Sequence, residues 1–243
     1  MSPIVKVCGM RDAENIHQVE QLLTVYSSLF GCHTGKRDLQ VTPWMGLIFW
    51  PKSSRYVSER PAYLPTKCQR VGVFVDATIE DVMQRVQDFG LDIVQLHGHE
   101  TPDFIRQLKD GAAASRPCRG GHWGEVSIIK AFNIATSDDF AQTKAYEGLA
   151  DYFLFDTRSP SVETGGSLPP GGTGRKFDWS VLADYVGETP FLLSGGIGPD
   201  DAGRVKAFRH AKCIGVDLNS RFESAPGLKD IGKLKTFLNY EQD

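Results

Sequence analysis

The residues of this 243-residue chain that invite chemistry are one cysteine, one histidine, one aspartate, one arginine and three groups of glycines. Cys8 stands in "VKVCGM" just before Gly9, where a strand-like run gives way to a turn. A thiol there is either a small core residue or a reagent. As a reagent it needs nearby positive charge, because an ordinary thiol titrates near pH 8.5. Lys6, two residues back, lies on the same side of a strand by alternation. The thiolate can then act as nucleophile or as base, and the residues alone do not choose.

Asp156 ends "DYFLFD", an apolar run with no other use for a carboxylate. Partial burial would keep it protonated and suit it to general acid work; a solvated carboxylate or the cap of a turn is the plainer alternative. His97 follows "VQL" and precedes Gly98, as a polar wall, a proton shuttle or a hydrogen-bonded structural residue. Arg55, between Ser54 and Tyr56, is a candidate for bidentate grip on a substrate carboxylate. Glycines recur in "PPGGTGRKFDW" (169–179) and "LLSGGIG" (192–198), and small polar residues follow in "GVDLNSRF" (215–222). Each alone reads as a tight turn, but three together, late in the chain, predict a phosphate cradle of backbone N–H groups.

These residues need a frame that brings them together. Eight short apolar runs recur, at 4–9, 44–50, 70–76, 91–97, 125–132, 151–156, 190–196 and 212–218. Their near-continuous hydrophobicity marks parallel strands covered on both faces. Helical crossovers are expected at 12–22, 78–89, 101–109, 137–146, 179–185, 200–208 and 229–238. Eight such units predict an α/β fold, a closed (β/α)8 barrel rather than an open doubly wound sheet, over one domain spanning 1–243. In such a barrel the loops after the strands carry the active site, which is where all the candidates fall. Three stretches depart from the rhythm. Residues 24–43 read as a long link between helix 1 and strand 2, the three prolines of 51–69 leave helix 2 short or irregular, and 111–124 reads as a loop before strand five.

Composition narrows the partners. With 27 basic and 30 acidic residues there is no charge excess to attract nucleic acid or a membrane surface, so a small-molecule partner is expected. The five cysteines show no CxxC spacing and their number is odd, which predicts reduced thiols, no zinc site and a cytoplasmic protein. Neither a signal peptide nor a membrane span is expected.

Taken in order, "KVCGMRDAEN", "GLIFWPKSSRYV", "RVGVFVD", "DIVQLHGHE", "FLFDT" with "GGTGRKFDW", "LLSGGIGPDDA" and "GVDLNSRFESAPGLKD" resemble the phosphoribosylanthranilate isomerases of tryptophan biosynthesis along nearly the whole chain. The resemblance implies a (β/α)8 barrel that carries out an Amadori rearrangement, with Cys8 as general base and Asp156 as general acid and with no metal or cofactor. It assigns Arg55 to the anthranilate carboxylate and puts His97 and Asp217 along the site. It gives the substrate phosphate to Gly172, Gly174, Gly195, Gly196, Asn219 and Ser220. The implied partner is a phosphosugar-anthranilate small molecule, and the implied assembly is a monomer or weak homo-oligomer. The extended sixth loop is read as a lid.

Two other readings fit parts of the pattern. A metal-using phosphosugar epimerase or synthase on the same scaffold would need His and Asp ligands at several strand ends, where only His97 is well placed. A regulatory phosphate-binding barrel would keep the glycines but have no need of both Cys8 and Asp156.

Overall fold

In the computed structural model, the described residues are 4–33, 43–114, 126–156 and 179–240. Eight parallel strands close on one another in chain order: β1 (Ile4–Cys8), β2 (Trp44–Ile48), β3 (Gln69–Phe74), β4 (Ile93–Leu96), β5 (Ser127–Asn133), β6 (Tyr152–Asp156), β7 (Phe191–Ser194) and β8 (Cys213–Leu218). Closure is made by β1 on β8, where Lys6 pairs with Asp217 and Val7 with Leu218. A register irregularity in the β7–β8 ladder falls between Phe191 and Leu192.

Alternation along each strand divides the core in two. Trp44, Val71, Ile93, Ile129, Leu154 and Leu192 form a cluster apart from the main core. Intervening residues such as Val5, Val7, Met45, Leu47, Phe153 and Phe155 belong to the much larger layer between barrel and helices. A closed barrel is filled by side chains from alternate positions, so its interior is packed rather than hollow. Polar groups in that interior therefore concentrate toward the mouth, at the strands' C-terminal ends.

The crossovers follow the expected order with local differences. Helix α1 runs from Ala13 to His33, so the link expected over 24–43 begins as helix. Ile16, Val19, Leu23 and Tyr26 continue one buried stripe past the expected end. The hydroxyls of Thr24 and Ser27 donate to Glu20 O and Leu23 O, which removes their competition with the helix. Helix α2 (Ile79–Phe89) stands where the sequence puts it, whereas α3 (Pro102–Ala114) runs five residues past its expected end at 109 and takes up the first part of the loop expected over 111–124. Thr78 caps α2 by accepting from Asp81 N. The expected helices at 137–146 and 179–185 are 3-10 in form, over Ser137–Tyr146 and Trp179–Asp184. In the first, the Thr143 hydroxyl donates to Phe140 O within the turn. The crossover after β7 is a 3-10 turn, Pro199–Asp201, followed by the short α4 (Ala202–Ala207).

Between Gly98 and the next strands a buried ion pair stiffens the rim. Lys130 Nζ on β5 donates to Gly98 O at 2.6 Å and to Glu100 Oε2 at 3.0 Å, while Glu100 accepts from Asp76 N at 2.9 Å and from Gly98 N. One carboxylate ties the ends of β3 and β4 to the middle of β5. The chain closes with a two-stranded antiparallel hairpin, β9 (Glu223–Ala225) and β10 (Leu228–Lys229), and then α5 (Ile231–Tyr240). The sequence expectation covers only the helix here, over 229–238, and not the hairpin before it. Its signal was Pro226-Gly227, with Gly227 at φ 81° in the turn. No helix among the described residues is long and apolar enough to cross a membrane.

Between β2 and β3 no helix forms, in keeping with the prolines, and a side chain organises the crossover instead. Glu20 of α1, almost fully buried, accepts from the backbone N–H groups of Thr66 and Lys67 at 2.5 Å and from that of Cys68 at 3.3 Å, and from the Tyr63 hydroxyl. Burial alone would raise its pKa; the Tyr63 hydroxyl and the backbone donors outweigh that and hold it below the ordinary 4.5. Replacing Glu20 by Ala strands these donors and is expected to destabilise the fold by about 3 kcal/mol, read by urea unfolding. Because the folded-state pKa is depressed, this contribution is complete above the ordinary glutamate range and fades as pH falls through the folded value. A wild-type advantage that stayed constant into acid would contradict it.

Candidate active site

The C-terminal ends of the strands form one polar rim. Cys8 is the last residue of β1 and is 3% exposed; it packs with Ile48, Val73 and Trp50 at the mouth. Lys6, one inward position below it, is completely buried and pairs with Asp217 of β8 at 2.7 Å. Asp217 also accepts from the Ser194 hydroxyl at the end of β7, at 3.2 Å. An unpaired ammonium in such a place would cost several kcal/mol, so the pair is what makes Lys6 tolerable there. Burial pulls the Lys6 pKa down, but Asp217 and Cys8 together more than restore it, leaving it raised.

The thiol feels the opposite balance. Burial pushes Cys8 up and Asp217 adds to this, while Lys6 and Lys229 pull it down, and burial prevails. The thiolate therefore depends on its cations.

Across the rim, Asp156 closes β6 and is 1% exposed. His97, just beyond β4, has a quarter of its side chain exposed and brings Nε2 to 3.8 Å from Asp156 Oδ2. Gln95, buried on β4, stands 2.9 Å from His97 Nδ1 through its amide nitrogen. If that amide donates, the imidazole carries its proton on Nε2, toward Asp156. So the structure brings His97 near the carboxylate below which the sequence reading ranks it.

Arg55 lies in the loop after β2 and is four-fifths buried along its side chain. Glu223 of the hairpin takes it in two parallel hydrogen bonds, from Nε at 2.8 Å and from Nη2 at 2.5 Å. Gly9 explains why a glycine must follow Cys8: it has φ 80°, and a Cβ there would lie 2.7 Å from Arg55 Cδ and 2.8 Å from Asn219 Oδ1. Cys8, Arg55 and Asn219 are thereby held in one neighbourhood.

The glycine-rich turns are described in part. Gly195 and Gly196 both adopt positive φ, 94° and 66°, directly after β7. Open space surrounds the position of a Gly196 Cβ, and Arg221 donates to Gly196 O at 3.1 Å, linking this turn to the Asn219–Ser220 turn after β8. Gly172, Gly174 and the expected lid in the sixth loop lie outside the described residues. Among the described residues no group of three or more His, Cys, Asp or Glu side chains is placed to hold a metal ion.

Three participants escaped sequence reasoning: Gln95, Glu223 and Lys229. Gln95 had a usable signal, since it lies two residues before His97 on an inward-facing strand. Glu223 and Lys229 become neighbours only through the hairpin.

A closed eight-stranded parallel barrel with a titratable mouth at its C-terminal rim defines a (β/α)8-barrel enzyme. Residues 38–240 match the family model described as "N-(5'phosphoribosyl)anthranilate (PRA) isomerase". The N-(5'-phosphoribosyl)anthranilate isomerase of Phocaeicola vulgatus is 42% identical over 236 residues, covering 97% of this chain and 96% of that protein. That of Parabacteroides distasonis is 43% identical over 241 residues, covering 97% and 91%. The crystal structure of phosphoribosyl anthranilate isomerase from Thermotoga maritima superimposes with TM-score 0.67 at 27% identity, over 99% of this chain and 98% of that one. The chain belongs to the N-(5'-phosphoribosyl)anthranilate isomerase family.

The charge balance at Cys8 gives a direct test. Lys6→Met removes its nearest cation and leaves Asp217 buried and unpaired, so the thiol should titrate at higher pH than in wild type. Ultraviolet thiolate absorbance, taken as the difference from a matching Cys8→Ser variant, measures this. The same substitution should cost about 3 to 5 kcal/mol of stability. An unchanged thiol titration would show that Lys6 does not govern it.

Proposed function

We propose that this single-domain barrel converts N-(5-phosphoribosyl)anthranilate into 1-(2-carboxyphenylamino)-1-deoxyribulose 5-phosphate by an Amadori rearrangement, as a step of L-tryptophan biosynthesis. The observation that carries the reading is the pairing of a cation-flanked buried thiol at the end of β1 with a buried carboxyl beside His97 at the end of β6, on one rim. Family membership supplies the substrate.

Asp156, protonated, gives its proton to the ribose ring oxygen. The C1′–O bond breaks as the anilino nitrogen lone pair forms a C=N bond, and the ring opens to a protonated imine. The Cys8 thiolate then removes the C2′ proton, and the electron pair of that C–H bond moves toward the imine nitrogen to give an enolamine. Gain of a proton at C1′ and loss of one from the 2′-hydroxyl deliver the ketone. The protonated imine is the electron sink, so the chemistry needs no metal or cofactor.

Binding groups divide between the two ends of the substrate. Arg55 takes the anthranilate carboxylate, and His97 and Asp217 line the region between. Gly195, Gly196, Asn219 and Ser220, with Gly172 and Gly174, supply backbone donors and small side chains to the phosphate. Positive φ at Gly195 and Gly196 supports this reading, because it turns backbone outward without side-chain obstruction.

Loss of phosphoribosylanthranilate fluorescence measures turnover. Cys8→Ser and Asp156→Asn should each lower kcat by about 100- to 10,000-fold, with KM changed much less. Near-full activity in Cys8→Ser would remove the thiol from the base role, and an inactive wild type would end the assignment.

A further inference from the structure

The reaction scheme uses Arg55 and leaves its partner unexplained. Glu223 is a carboxylate placed against the guanidinium that is assigned to bind a carboxylate, an arrangement that at first sight competes with the substrate. Geometry resolves the conflict. Glu223 occupies the edge formed by Nε and Nη2, at 2.8 and 2.5 Å. Nη1 makes no hydrogen bond among the described residues, so the opposite edge of the fork, Nη1 with the second Nη2 proton, is not used by Glu223.

Glu223 is itself immobilised. Lys229 Nζ, fully buried, donates to it at 2.6 Å, and Gly227 N does so at 3.1 Å. Lys229 also donates to Asn219 Oδ1 at 3.0 Å. Its backbone is fixed to α1 from both sides, by Lys229 N to Asn15 Oδ1 at 2.7 Å and by Asn15 Nδ2 to Lys229 O at 2.9 Å. Arg55 and Lys229 share this one carboxylate, and Cys8 is the other acidic group that acts on both. An arriving carboxylate would meet Arg55 at the edge that Glu223 leaves unused.

We propose that Glu223, braced by Lys229, is a positioning residue that presents Arg55 as a preformed carboxylate receptor and thereby sets the preference for an anionic aryl amine over a neutral one. The proposal rests on the assignment of Arg55 to the substrate carboxylate. Arginine on a loop loses considerable rotamer freedom when it binds, and a clamp that fixes the planar fork beforehand removes that cost from substrate binding.

The test compares two substrates, made by condensing ribose 5-phosphate with anthranilate or with aniline, in wild type and variants, with product followed chromatographically. Wild type should prefer the carboxylated substrate in kcat/KM by about a hundredfold, the worth of a charge-assisted pair. Glu223→Gln should lower kcat/KM for the carboxylated substrate about tenfold more than for the aniline one, with the loss residing in KM. Added to Arg55→Ala, it should cost nothing further in that preference. Glu223→Asp keeps the negative charge beside Lys229 but withdraws the carboxylate from the Nε edge of Arg55, so it should lose the preference to a similar degree, and it decides the matter should Glu223→Gln fail to fold. Equal losses on both substrates would reduce Glu223 to a structural support and overturn the proposal, as would an unaltered preference. A wild type without any preference would overturn the Arg55 assignment itself, and the clamp with it.

Discussion

Lys6 carries an ammonium into the interior of a packed barrel, and Asp217 meets it there at 2.7 Å. Two opposite charges in such a place lose their hydration and recover it only through mutual contact and added hydrogen bonds. The Ser194 hydroxyl supplies one of these to Asp217, and Cys8 stands on the other side of Lys6. The pair thus joins β1, β7 and β8 and at the same time sets the electrostatics of the thiol. Hydrophobic groups of the same volume would fill the barrel at least as stably, and they would leave Cys8 an inert core residue. Burial raises the thiol, and only nearby cations oppose it.

Around that pair the mouth is organised by carboxylates that each serve several loops. Glu100 gathers Lys130, Asp76 N and Gly98 N; Glu223 gathers Arg55, Lys229 and Gly227 N. Loops after barrel strands have few apolar residues with which to fix themselves. A buried acceptor that collects backbone and side-chain donors does the same work with polar groups. Glu20 repeats the device away from the mouth, where it replaces the packing that a second crossover helix would have given.

Much of this was legible in the sequence, for identifiable reasons. All eight strands announce themselves because parallel strands covered on both faces must be apolar throughout, so that Asp156 and His97 stood out against their runs. The extent of α1 beyond Leu22 was not legible, since the polar, glycine-containing stretch 24–43 reads as a link. Its continuation depends on Leu23 and Tyr26 meeting the core and on hydroxyls turned back onto the helix. Choice between α and 3-10 geometry at 137–146 was likewise hidden, because periodicity over about three turns fits both. Cys8 and Lys6 were linked by strand alternation alone, a local rule. Glu223 and Arg55 are 168 residues apart in sequence, and only the closed barrel with its terminal hairpin makes them partners.

Closure between first and last strands has a bearing on how the chain reaches this state. Lys6 and Asp217 are separated by 211 positions, so the lysine emerges from synthesis long before its counter-ion exists. Until β8 docks, burying β1 would strand a charge. The final strand therefore delivers a neutralising group along with its backbone ladder.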